Sequence, residues 1–140
     1  MAATLGQHRS AAIVHQLRWF HRVGVLGVGV IYVIFSLTVR PAGGFFGNHF
    51  TDCLAGIALP CALLSIPAWE PLFRSLFVSL LSTLGATLSA AVVWEVLVPL
   101  VDNDSVGDPW DVVAYLVGAL VYWVASEVIV RRLRKGPAND

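Results

Sequence analysis

Residues 94–115 read WEVLVPLVDNDSVGDPWDVVAY and hold five of the nine acidic residues of this 140-residue chain. The stretch lies between two long apolar segments of the kind that cross a bilayer as helices. It therefore decides both where two predicted helices end and where polar chemistry can gather. Its carboxylates belong to Glu95, Asp102, Asp104, Asp108 and Asp111.

The composition excludes an ordinary soluble domain. Hydrophobic residues make up 57% of the chain, charged residues make up 13%, and the mean hydropathy is +0.76. Soluble domains carry about a quarter charged residues. The sequence therefore predicts an all-α polytopic membrane protein, with the lipid bilayer as its main partner.

Apolar periodicity predicts four transmembrane helices, at residues 23–39, 51–66, 72–100 and 109–130, folded as an antiparallel bundle within one domain, residues 23–135. Residues 1–22 are basic and amphipathic, which favours an interfacial helix; a loose cationic tail is the alternative. Residues 136–140 form a short tail. A face of small side chains on the third helix predicts tight interior packing, and its members are Ser82, Gly85, Ala86, Ser89 and Ala90.

The basic residues predict the orientation. If the N-terminus is cytoplasmic, the opposite side of the membrane carries only Arg40. Lysine and arginine in short loops concentrate on the cytoplasmic side, so both termini are predicted to be cytoplasmic and the acidic loop to lie outside. The eight basic residues on the cytoplasmic side are Arg9, Arg18, Arg22, Arg74, Arg131, Arg132, Arg134 and Lys135.

This topology brings polar residues from three helix ends to one membrane face. Buried carboxylates are costly and normally turn toward a bundle interior or a water-filled cavity. The sequence therefore predicts a polar pocket at the non-cytoplasmic face. Its predicted members are His49 and Asp52 at the start of the second helix, Glu95 near the end of the third, and Asp108, Asp111 and Tyr115 at the start of the fourth.

Structural roles compete with this interpretation. Asp108 precedes Pro109 and fits a helix N-cap, and Asp52 can complement the dipole at a helix start. His49 can be a plain loop or interface histidine. Glu95 lies near a helix C-terminus, where the dipole disfavours an anion, so it is predicted to need a partner.

The pocket chemistry leaves several uses open. Oxygen-rich clusters suit Mg²⁺, Ca²⁺ or Mn²⁺, and crowded carboxylates can act as general acids or relay protons. No organic cofactor is indicated, and a divalent cation at the acidic cluster is the one inorganic candidate. The chain has no HExxH motif, cysteine cluster, P-loop or nucleophile elbow, so the question of an enzyme stays open. The basic residues act as topology determinants, and no nucleic-acid partner is predicted.

Short motifs resemble the VanZ-like family of small integral membrane proteins. They are Asp52 followed by Leu-Ala-Gly at residues 54–56, the pair Trp94-Glu95, and an Asp-x-x-Ala-x-x-x-Gly-Ala pattern from Asp111 to Ala119, and the resemblance covers about residues 25–130. Tyr115 stands where the family usually has Asn. The resemblance implies a cell-envelope role in a bacterial or archaeal plasma membrane. The family is linked to low-level resistance to the glycopeptide teicoplanin.

Three functions follow from these patterns. The first is an envelope protein whose acidic pocket binds a lipid-linked or cationic ligand, which predicts that Asp52, Glu95 and Asp111 converge. The alternative is a non-catalytic subunit or scaffold of a larger membrane complex. The third, a proton or cation conductor, lacks polar residues below the outer face other than Ser and Thr. The scaffold would use small-residue faces and an aromatic belt of Trp69, Trp94, Trp110, Tyr122 and Trp123.

Overall fold

A computed structural model describes residues 2–39, 44–101 and 108–135, and in these ranges the protein is helical. The prediction of an all-α protein is confirmed. In chain order, the elements are α1 (Ala2–Thr38), α2 (Gly44–Ser65), α3 (Glu70–Phe73), a 3₁₀ turn (Arg74–Phe77), α4 (Leu80–Val92), a π turn (Val93–Leu97), α5 (Val98–Val101) and α6 (Pro109–Lys135).

Within the described residues, three helical stretches are long and apolar enough to cross a membrane. They are Ile13–Thr38, Leu80–Val101 and Pro109–Leu133. Many of their large apolar side chains are exposed, as expected where lipid is the surrounding solvent. Helix α2 has 22 residues but falls outside this set, because Asn48, His49 and Asp52 make its first turns polar.

Helix α1 is continuous across the boundary that the sequence predicted at residue 22. It runs from Ala2 to Thr38, so the alternative of a loose tail is wrong for residues 2–22. A stretch that is long and apolar enough to cross a membrane lies within Ile13–Thr38. Residues 11–35 contain no proline and none of the usual capping residues Ser, Thr, Asp and Asn, so nothing there interrupts the helical hydrogen-bond ladder.

The other predicted boundaries also shift. Helix α2 begins at Gly44, seven residues before the predicted start at residue 51, and α6 continues to Lys135, five residues beyond the predicted end at residue 130. The third span begins at Leu80 instead of residue 72, because Ser79 caps α4. Ser79 Oγ accepts from the Ser82 amide at 3.1 Å, while Ser82 Oγ accepts from the Ser79 amide at 3.2 Å. This reciprocal box satisfies the first free amides of the helix.

A π turn at Val93–Leu97 separates α4 from α5. The Val98 amide donates to the Val93 carbonyl, five residues back. Pro99 explains the irregularity, because it lacks the amide hydrogen that the Glu95 carbonyl would otherwise accept in an α-helix. The widened turn contains Glu95, and such turns are frequent at functional sites.

The central helix pair is α2 and α6, and the two helices run parallel. A methyl group on Gly118 would overlap the carbonyl oxygen of Cys53, and one on Gly56 would overlap the carbonyl oxygen of Tyr115. Glycine therefore allows backbone to touch backbone at this crossing. The start of α2 lies beside the start of α6, which is the relative direction that the predicted topology gives its second and fourth helices. The direct contact between these two helices was not predicted.

Helices α1 and α4 pack on the outside of the central pair. Helix α1 runs antiparallel to α2: Gly24 faces Cys61, and the rings of Phe35 and Phe50 lie 4.6 Å apart. Helix α4 packs against α6. The order across the molecule is therefore α1, α2, α6, α4.

The face that α4 buries is not the small-residue face that the sequence predicted. Gly85, Ser89 and Ala90 are exposed. Thr83, Thr87 and Ala91 are at most 1% exposed, and their spacing of four residues places them on one stripe of the helix. The prediction failed because it ranked residues by size alone, whereas threonine is compact enough to pack and can bond back to its own helix. Thr83 Oγ1 does so, donating to the Ser79 carbonyl at 2.8 Å.

One end of the molecule is held by an ion-pair cluster. Arg18 Nε lies 2.6 Å from Glu70 Oε2, and Arg74 Nη2 lies 3.6 Å from Glu70 Oε1. Glu70 is only 8% exposed. We call this region, where α1 enters its span and α6 ends, the basic end.

A buried polar pair lies beside that cluster. His21 Nε2 and the Tyr122 hydroxyl share a hydrogen bond of 3.1 Å, and the Phe77 ring packs edge-on against Tyr122. Tyr122 is 2% exposed and belongs to the core, so its assignment to an aromatic belt was wrong. The cluster and this pair tie α1 and α6 to the connection between α2 and α4.

Candidate functional site

The other end of the molecule, which we call the acidic end, gathers the predicted pocket residues. The starts of α2 and α6 meet there because the two helices run parallel. The π turn and α5 bring the end of the third span to the same place, through a contact between Glu95 and Asp108. We call the set His49, Asp52, Glu95, Asp108, Asp111 and Tyr115 the acidic site.

His49 and Asp111 form its closest pair. Their Nδ1 and Oδ1 atoms lie 2.6 Å apart, and the side chains are 11% and 20% exposed. The hydrogen bond to Asp111 raises the pKa of His49 above its usual value, burial opposes that shift, and the neighbouring carboxylates add to it. The pair is therefore a charge-assisted hydrogen bond when the imidazole is protonated.

Asp52 lies between this pair and Tyr115. The Tyr115 hydroxyl lies beside the Asp52 carboxyl group, and one carboxylate oxygen of Asp52 lies within 4.8 Å of one of Asp111. Two carboxylates this close repel each other. The Asp52–Asp111 pair is therefore suited to a cation placed between the two groups.

Glu95 and Asp108 form the side of the site nearest α5. The Asp108 amide donates to Glu95 Oε2 at 3.2 Å, which supplies the partner that Glu95 was predicted to need. Asp108 Oδ1 accepts from the Trp110 amide at 2.9 Å. Asp108 is thus the N-cap of α6, the structural alternative that the sequence offered for it.

The electrostatics of the site follow from the parallel pair. Each helix N-terminus carries about half a positive charge, and that of α6 lies beside Asp108 and Asp111. Helix α2 begins at Gly44 and has no acid in its first turn, so the alternative that Asp52 complements the dipole of α2 is wrong. Among the described side chains of this end, His49 is the only basic group beside Asp52, Glu95, Asp108 and Asp111. Asp102, Asp104 and Arg40, which the sequence also assigned to this side, lie outside the described residues.

One nitrogen and two carboxylate oxygens are close enough to consider a metal ion. One donor atom each from His49, Asp52 and Asp111 lies within 4.8 Å of the others. Donors about 2.0–2.2 Å from a Zn²⁺ ion are at most roughly 4.4 Å apart, and about 3.5 Å apart in a tetrahedron. The largest of these separations would have to shorten, whereas His49 Nδ1 and Asp111 Oδ1, which lie 2.6 Å apart, would have to separate to roughly 3.5 Å. Mixed nitrogen and oxygen donors suit Zn²⁺ or Mn²⁺.

An apolar cavity of about 280 Å³ opens beside the site, between α2 and α6. The site reaches it through His49, which lines the cavity and also bonds to Asp111. We call this cavity the α2–α6 groove. Its lining residues are His49, Phe50, Cys53, Trp110, Val113, Ala114 and Val117.

In comparisons with known proteins, no family model, curated protein or solved structure matches this chain.

Two features of the molecule were missed by sequence reasoning. One is the α2–α6 groove, and the other is the basic-end cluster of Arg18 with Glu70. Arg18 and Glu70 are 52 residues apart, and no local pattern joins them. A signal was available for Glu70, because an acid between Pro67 and Pro71 in an otherwise apolar chain needs a cation.

Proposed function

We propose that the chain is a VanZ-like integral membrane protein of four spans that acts in the cell envelope. Both termini lie in the cytoplasm, and α2 contributes the fourth span at residues 51–66. The acidic site lies at the non-cytoplasmic face and binds a cationic ligand, of which a divalent metal ion is the simplest.

The distribution of charge supports this orientation. The basic end carries Arg18 and Arg74, the ends of α1 and α6 add further arginine and lysine, and the acidic end carries four described acids. A fusion of a fluorescent protein at Asp140 should fluoresce, since that domain matures only in the cytoplasm. A periplasmic phosphatase inserted after Asp104 should be active. The reverse pattern would refute the orientation.

The observation that carries the binding proposal is the approach of His49, Asp52 and Asp111 to within 4.8 Å. A cation at this point relieves the repulsion between the carboxylates of Asp52 and Asp111. Glu95 and Tyr115 then act from outside the ligand set, where hydrogen-bonded neighbours orient the ligands and raise affinity.

Calorimetric titration of the purified protein with Mn²⁺ and Zn²⁺ tests the proposal. We expect one site, with affinity at least tenfold weaker in Asp52→Asn and Asp111→Asn, and binding that strengthens as pH rises because protons compete for the ligands. Glu127→Gln is the control, since Glu127 pairs with Arg131 at the other end of α6. Absence of saturable binding, or equal weakening in the control, would sink the proposal.

A cellular test separates function from folding. In a strain lacking the chromosomal copy, the wild-type chain should restore resistance to teicoplanin or another envelope stress, whereas Asp111→Asn should not. Membrane abundance of the variant should equal that of the wild type. If abundance collapses with activity, the carboxylate is structural.

The alternative, a non-catalytic subunit of a larger membrane complex, is favoured by a different observation. A methyl group added at Gly27, Gly29 or Gly85 would meet open space. Helices α1 and α4 therefore expose small residues against which another helix can pack closely. Purification in a mild detergent distinguishes the two. A partner chain at fixed stoichiometry, lost in Gly85→Leu, supports the subunit function.

A further inference from the structure

The α2–α6 groove has a shape that follows from the glycine crossing. The two helices touch at Gly56 and Gly118, and the groove lies between this crossing and the helix starts. From Trp110 to Val117 it is about 10 Å long, at roughly 1.5 Å per residue. Its cavity of about 280 Å³ is near the lower end of small-molecule sites, which run from about 300 to 1,000 Å³.

The groove has one polar end. Every lining residue other than His49 is apolar, and His49 bonds to Asp111 in the acidic site. Trp110 and Val113 are 59% and 47% exposed, so the groove is open along its side toward the bilayer. An elongated apolar molecule can therefore enter sideways from the lipid, with its polar group beside the carboxylates.

The charge at that end selects the polar group. Among the described side chains at that end, Asp52, Glu95, Asp108 and Asp111 are accompanied by one imidazole, so these side chains together favour a cationic head group over an anionic one. An ammonium group has three N–H donors and no acceptor. Because the nearest oxygens of Asp52 and Asp111 lie within 4.8 Å of each other, one ammonium group can donate to both carboxylates.

We propose that the α2–α6 groove binds a membrane lipid whose head group carries a primary ammonium, with one acyl chain in the groove and the ammonium against Asp52 and Asp111. This inference rests on the proposed function, because it names the cationic ligand of the same site. Lipid tails are as apolar as the groove walls, so moving a chain from the bilayer into the groove gains little. Selectivity must therefore come from the head group.

Native mass spectrometry of the whole chain tests this proposal. The protein is extracted from vesicles containing equal amounts of phosphatidylethanolamine and phosphatidylglycerol with identical acyl chains. We expect one retained lipid, with phosphatidylethanolamine enriched at least fivefold. Asp52→Asn should bring the ratio close to one.

A matched pair of variants tests the groove itself. Ala114→Leu places a larger side chain in the groove and should abolish lipid retention. Ala58→Leu makes the same change on α2 in a different cavity, lined by Val25, Tyr32, Leu54 and their neighbours without a charged residue, and should leave retention unchanged. Circular dichroism and elution volume check that each variant folds.

Several outcomes overturn the proposal. The first is equal retention of the two lipids by the wild-type chain, a result that requires no variant. The second is lipid retention by the Ala114→Leu variant. The third is a dimer that carries no lipid, which would assign the groove to a second copy of the chain. If the Mn²⁺ titration still reports a site in any of these cases, the proposed function stands and only the lipid assignment fails. If neither metal nor lipid binds, both fail.

Discussion

The basic end and the acidic end of this protein differ in how their charged side chains are paired. At the basic end, Glu70 is 8% exposed and lies against both Arg18 and Arg74. At the acidic end, four described carboxylates lie around a single imidazole. Paired opposite charges hold a scaffold together, whereas crowded like charges repel and leave capacity for a cation from outside. The difference separates the part that stabilises the fold from the part we assign to binding.

The largest expected effect tests the scaffold role of the basic end. Glu70→Gln leaves Arg18 without a carboxylate, and breaking a buried pair costs about 3–5 kcal/mol. Because the Arg18 side chain is 38% exposed, we expect the free energy of unfolding to fall by about 2–3 kcal/mol. Glu127→Gln, in an exposed pair with Arg131, should cost less than about 0.5 kcal/mol. Unfolding by SDS in mixed micelles measures both.

The next effect tests whether the parallel pair creates the acidic site. Gly118→Ala forces α2 and α6 apart at Cys53, and overpacking costs about 1–3 kcal/mol. It should also weaken Mn²⁺ binding, although Gly118 touches no ligand. Gly27→Ala, where a methyl group meets open space, should not destabilise the protein. Unchanged binding in Gly118→Ala would separate the site from the crossing.

A smaller effect of opposite sign tests the acidic end. Asp52→Asn removes one of two adjacent carboxylates, so it should raise the free energy of unfolding by roughly 0.5–1 kcal/mol while it weakens cation binding, as is common for functional sites. The same unfolding assay measures the change in a chelated buffer. A loss comparable to that of Glu70→Gln would erase the contrast between the two ends.

The smallest effect is a pH dependence of the His49–Asp111 pair. The hydrogen bond to Asp111 raises the pKa of His49 above its usual value of 6.5. The folded state therefore binds the proton more tightly, and this contribution to stability is complete below pH 6.5 and disappears as pH rises through the raised pKa. The difference in melting temperature between wild type and His49→Gln should shrink over that window. A difference that grows with pH would contradict the assignment.

Much of this molecule was predictable from local sequence. Apolar stretches of about 20 residues indicate helices that cross a bilayer. The pair Asp108-Pro109 indicates the start of α6, because Asp is a preferred N-cap residue and Pro a preferred first residue of a helix. The boundaries at Ala2, Gly44 and Leu80 were less predictable. The boundary at Ala2 depends on the absence of a helix-breaking residue in α1, and the boundary at Leu80 depends on the capping box of Ser79 and Ser82. Both features are weaker sequence signals than a long apolar stretch.

The residues of the acidic site were predictable from the sequence, but the distances between them were not. Helix ends on one membrane face follow from the number and direction of the helices, and this reasoning indicated His49, Asp52, Glu95 and Asp111. It gave no distances. It also chose the wrong buried face of α4, because the partner of a helix in a membrane is decided by the fit of side chains and not by their size alone.

The sequence by itself determined that the chain forms apolar helices with acids at one set of ends and bases at the other, because hydropathy and charge act locally on each segment. Tertiary structure alone decided that α2 packs directly against α6. Contact between Gly56 and Gly118 and the opposite backbone joins segments some 60 residues apart, as it does for the 62-residue separation of His49 and Asp111. Which small-residue faces pack together depends on the shapes of all the helices. The packing of α2 against α6 brings Asp52 and Asp111 close together.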